Sequence, residues 1–82
     1  MSERTTVALK YPVEIDGVQV SALHLRRPKV RDQLLAQKQG GSDAERELTL
    51  IANLADVAPQ ALHELDSQDY AALQRTLTGF FS

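Results

Sequence analysis

The hydrophobic periodicity of this chain changes once, and that change limits the folds open to it. From Thr5 to Ile15, apolar residues recur at every second position. Val7, Leu9, Tyr11, Val13 and Ile15 fall on one face, with Thr6, Ala8, Lys10, Pro12 and Glu14 on the other. A period of two is a strand with one buried face. Asp16-Gly17 follows, the dipeptide that best tolerates the positive φ angles of a type I′ turn. Val18 to Leu25 then reads as the returning strand, so residues 5–27 form a β-hairpin.

A two-residue turn sets the register. Ile15 pairs with Val18, Val13 with Val20 and Tyr11 with Ala22. Continued further, that register puts His24 and Arg26 on the apolar face, whereas the apolar residues shift parity at Leu23 and Leu25. One extra residue near Ala22-Leu23, a β-bulge, restores Leu25 to the buried side. Pro12, opposite Ser21 in this register, suits an edge strand because its missing N–H points away from the partner.

After Arg27-Pro28 the apolar spacing becomes helical. Pro28 suits the first helical position, where no N–H is needed. Val30, Leu34 and Leu35 mark a short amphipathic helix to about Gln39, stopped by Gly40-Gly41. Ser42 and Glu45 form a capping box for a second helix, which runs to about Asp56. Pro59 starts a short turn of helix through Leu62 and Leu65, with Ala58 a poor cap before it. Asp66 reads as the N-cap of a last helix, with Leu65 and Tyr70 at the staple positions and Tyr70, Leu73, Leu77 and Phe80 along one stripe. The expected fold is α+β: an N-terminal β-hairpin and three to four short helices. Residues 1–4 are expected to be a flexible N-terminus and 5–82 one domain, with its helical part at 28–81.

Composition narrows the chemistry. The chain has 82 residues and no Cys, so zinc-binding cysteine pairs and stapling disulfides are excluded. A domain of this size buries roughly 60% of its unfolded surface and has little chain to wall a deep catalytic pocket. The net charge of −2 argues against a general nucleic-acid-coating protein. Met1 to Thr6 holds no apolar h-region, and no apolar run approaches the ~18 residues of a membrane span. The expected address is the cytoplasm.

Catalysis finds little support. His24 and His63, the two histidines, have no nucleophile or acid at a recognisable spacing, and surface histidines are the simpler reading. Asp43, Glu45 and Glu47 open a helix, where its dipole favours them. No Walker, dinucleotide or Ca²⁺-loop motif is present, so no catalytic, cofactor or metal residue is assigned.

Two features point to a partner. Arg26, Arg27, Lys29 and Arg31 cluster at the strand-to-helix junction, either as a solvated hinge, as a docking patch for an acidic surface, or as a small nucleic-acid patch. The second helix is apolar on more than one stripe: Ala44, Leu48, Ile51 and Ala55 on one face, Leu50 and Leu54 on another. Either the rest of the domain covers both, or Leu50 and Leu54 are left for a partner or a second copy. Phe80 continues the buried stripe of the last helix, whereas Phe81 lies about 100° around it.

The order of these segments resembles a known family. Its elements are Leu9 to Val18, Leu25 to Asp32, Glu47 to Leu54, Pro59, Leu65 to Tyr70 and an apolar helix ending in Phe80-Phe81. Together, over about residues 7–81, they resemble the tail assembly chaperones of contractile-tailed bacteriophages, the small tail protein E type also found in Mu-like phages and prophages. The resemblance implies a non-enzymatic role in the bacterial host cytoplasm. Such proteins bind the long tape measure protein during tail assembly, keep it soluble and are absent from the finished virion. It also implies a longer product of the same message, made by programmed frameshifting near the end of the frame. Expected partners are therefore the tape measure protein, that longer form and a second copy, with neither nucleic acid nor membrane. Arg26, Arg27, Lys29, Arg31, Leu50, Leu54, Phe80 and Phe81 are the expected contact residues. The competing readings are a small DNA-binding or antitoxin-like regulator using the Arg26–Arg31 cluster, and a component that stays in the particle.

Overall fold

The computed structural model describes residues 4–82. The flexible terminus expected at 1–4 lies outside the described residues except for Arg4, which begins the first strand opposite Arg26. β1 spans Arg4–Ile15 and β2 spans Val18–Arg26, joined as a two-stranded antiparallel sheet. Asp16 and Gly17 have φ of 52° and 79°, the positive values that a type I′ turn requires at both positions.

Near the turn the register is the expected one, with Ile15 opposite Val18 and Val13 opposite Val20. Beyond it the expected bulge is corrected in place and size. Ala8 pairs with Ala22 and Val7 with Leu23. Four residues of β1, Leu9 to Pro12, thus face one residue of β2, Ser21, so the excess lies on β1 and amounts to three residues, not one on β2. An odd excess still switches parity, and Val7, Leu9, Val13, Leu23 and Leu25 all reach the core. Tyr11, expected on the buried face, sits in the irregular stretch and is exposed, and Val18 beside the turn is exposed as well.

Four helices follow: α1 Val30–Gln39, α2 Asp43–Ala55, α3 Pro59–Leu62 and α4 Ser67–Phe80. Pro28 is not the first helical residue. Lys29 is the N-cap, and its N–H donates to the Asp32 carboxylate at 2.8 Å, so the helix starts where that acceptor can be reached. Gly40 ends α1 at φ 77°, a conformation that other residues adopt only with strain.

The capping box of α2 is formed. Ser42 Oγ accepts from the Glu45 N–H at 3.2 Å, and Glu45 Oε1 accepts from the Ser42 N–H at 2.9 Å. Hydrogen bonding from Ser42, its backbone N–H first, holds the Glu45 carboxyl below its usual range. Ser42→Ala is expected to lower the melting temperature by about 5 °C, measured by thermal unfolding. Asp66 caps α4 by accepting from the Gln68 N–H at 2.9 Å.

The core gathers Leu25, Ile51, Leu54 and Leu73, all fully buried, with the strand residues above and Ala52, Leu62 and Leu77. α4 packs on β1, and α2 packs on β2, α1, α3 and α4. A helix with four neighbours needs apolar residues on several sides, which is why α2 carries more than one stripe. The spare strip expected there is corrected at Leu54, which is core, while Leu50 is half-buried against it.

Candidate partner-binding surface

The basic cluster does not present four free charges. Arg26 donates both guanidinium nitrogens to Asp32, at 2.7 and 2.8 Å. Asp32 is 3% exposed and also receives the Lys29 N–H. The Arg26 hydrogen bonds, with the Lys29 N–H and the nearby positive charges of Arg26 and Arg31, outweigh burial and lower the Asp32 carboxyl to about 2. The Asp32 hydrogen bonds in turn raise Arg26 above its ordinary value. Arg27 lies over the Phe80 ring, 5.5 Å from its centroid, and its Nη2 donates to the Phe80 carbonyl at 3.3 Å. Arg26 and Arg27 thus tie the junction to α1 and to the end of α4. Phe80 is half-buried beneath Arg27, while Lys29, Arg31 and Phe81 are exposed.

The ion pair also sets the rotation of α1. Asp32 must face Arg26, so Asp32 and Ala36 form the buried side of the helix. Val30, Leu34 and Leu35, the residues that marked it as amphipathic, therefore point outward, with exposures of 70%, 65% and 47%. This reverses the inward face expected from their spacing. Burying such side chains is worth roughly 1.5–3 kcal/mol each, so the isolated domain forgoes a sizeable apolar contribution here. Leu34→Ser is accordingly expected to change stability by no more than ~0.5 kcal/mol in urea unfolding, where a core leucine would cost far more.

Beside this face is a cleft of about 720 Å³ between the hairpin tip, α1 and the end of α2, lined by Ile15, Arg31, Leu35, Asn53, Asp56 and Val57 among others. Asn53 Nδ2 is buried and has no hydrogen-bond partner among the described residues. Sequence reasoning missed this donor and the outward face of α1. Only the Arg26-to-Asp32 spacing carried a signal, because it decides which way the helix turns.

Several other polar groups have structural partners. Asp69, 3% exposed, accepts the Lys10 and Tyr11 N–H groups at 2.8 and 2.9 Å. Glu47 accepts from Gln74 Nε2 at 2.7 Å and from the Tyr70 hydroxyl at 3.4 Å, joining α2 to α4. Burial and then Glu47 push the Tyr70 hydroxyl up to about 12. His24 Nδ1 is 2.9 Å from Thr6 Oγ1, and His63 is exposed. Among the described residues no group of three or more His, Asp or Glu is placed to hold a metal ion, and no helix is long and apolar enough to cross a membrane.

A hairpin-and-helix domain whose most distinctive surface is an outward apolar helix face fits the class of small protein-binding domains. The chain belongs to the phage tail assembly chaperones: the family described as "Phage tail assembly chaperone proteins, E, or 41 or 14" matches residues 6–82. No curated protein and no solved structure matches the chain. Family membership supports a role in tail assembly, with phage tail proteins as partners.

Proposed function

We propose that this chain binds the tape measure protein during tail assembly, keeps it soluble in the bacterial host cytoplasm and is not retained in the finished tail. The role is one of binding, without catalysis. The observation that carries it is the exposed apolar row Val30, Leu34 and Leu35 on a family member of only 82 residues. A long apolar partner needs such surface covered until it is assembled. Exposed Phe81, with Lys29 and Arg31, adds apolar and cationic contacts; Arg26, Arg27 and Phe80 support them from behind, and Leu50 and Leu54 support α2. A longer frameshifted form carrying this domain would bring the same surface to the complex.

Co-expression with the tape measure protein of the same tail gene cluster tests the proposal. The expected result is a soluble complex that co-purifies. A tape measure protein that stays equally insoluble, with nothing bound, would overturn it. Mass spectrometry of purified particles is expected to find no copy of this chain; finding it there would make it a structural component.

A further inference from the structure

We infer that the outward face of α1, with the cleft beside it, is the docking surface, and that its occupant is an amphipathic helix whose apolar stripe carries Asp or Glu near its two ends. The inference rests on the proposed binding of the tape measure protein and names the site and the chemistry it selects.

At 100° per residue, Val30, Leu34, Lys38, Arg31 and Leu35 fall in that order on an arc of about 140°, opposite buried Asp32 and Ala36. Val30 to Lys38 spans about 12 Å, some two turns of an opposing helix. Three apolar side chains and two exposed cations share this arc, and Lys29 stands at its start. A helix laid along it packs its apolar stripe on Val30, Leu34 and Leu35 and sets acidic residues near the two ends of that stripe against Arg31 and Lys38. Leu35 also lines the cleft, which continues this face toward the hairpin tip.

The charges disfavour a second copy as the occupant. A two-fold contact between α1 faces sets Arg31, Lys38 and Lys29 against their own counterparts. Three apolar side chains also fall far short of the ~800 Å² per partner that a stable dimer buries.

The test titrates the tape measure protein with the full chain and its variants at low and high salt. Leu34→Glu is expected to weaken binding about 30-fold or more. Arg31→Glu with Lys38→Glu is expected to cost about tenfold at low salt and to remove the salt dependence. Gln19→Ala, on the exposed hairpin face, should bind as the unaltered chain does. Circular dichroism checks each fold, and the milder Leu34→Ser carries the comparison if Leu34→Glu does not fold. If the unaltered chain binds and the Leu34 and charge variants bind equally well, this surface is wrong while the chaperone reading stands. If the unaltered chain does not bind, both fall. If Leu34→Glu halves the mass of the free chain in solution, the occupant is a second copy and the inference is overturned.

Discussion

Arg26→Ala is expected to remove about 3 kcal/mol of stability at neutral pH, measured by urea unfolding. Breaking a buried ion pair from one side leaves a charge with little solvent and no opposite charge, which typically costs about 3–5 kcal/mol. The lower end applies because the Arg26 side chain keeps 23% of its surface exposed, against 4% for Asp32. The Asp32 carboxyl also retains the Lys29 N–H.

The pH dependence has a definite sign. Asp32 titrates at about 2 in the folded chain against an ordinary 3.8, so the folded state favours its charged form. The resulting stability is fully present above about pH 5 and is lost as the pH falls through 4 towards 2. Each tenfold difference in proton affinity between the folded and unfolded chain is worth about 1.4 kcal/mol, which makes the loss about 2 kcal/mol. The gap between the unaltered chain and Arg26→Ala should therefore narrow by about that amount between pH 5 and pH 2. A gap independent of pH would assign the Arg26 effect to packing instead of charge.

Asp69→Ala is expected to cost about 3 kcal/mol. The excess of β1 residues against β2 leaves the Lys10 and Tyr11 N–H groups to the Asp69 carboxylate, one on each oxygen. Hydrogen bonds to a charged acceptor contribute roughly 1.5–3 kcal/mol each, and removing the acceptor orphans both donors. Asp69→Asn should recover less than half of the loss, because its amide offers one acceptor and turns a donor toward the other N–H. Hydrogen exchange should show Lys10 and Tyr11 losing protection in both variants. If they keep their protection, the carboxylate does not hold the strand.

These two acids show where the sequence stops being informative. The hairpin, its Asp16-Gly17 turn and the Ser42 and Asp66 caps were legible because each is decided by neighbours within a few residues. The place of the bulge was not, because its acceptor, Asp69, lies some sixty residues away and looks like an ordinary acid in the first turn of α4. The rotation of α1 was hidden for a similar reason. Its spacing reads with Leu34 inward, and the outward choice falls to Arg26, on another element. The partner surface was therefore sought on α2, whose several apolar stripes serve its four neighbours, while the exposed row lay on α1. Among the expected contact residues, the structure leaves Arg27, Lys29, Arg31 and Phe81 exposed, half-buries Leu50 and Phe80, and gives Arg26 and Leu54 work inside the fold.

The proposed arrangement has this small domain holding the tape measure protein against the outward face of α1. Photo-cross-linking from inside the complex tests it most directly, with Leu34→p-benzoylphenylalanine and Gln19→p-benzoylphenylalanine compared after co-expression. The expected result is a covalent adduct with the tape measure protein from position 34 and none from position 19. An adduct from position 19 with none from position 34 would contradict the claim.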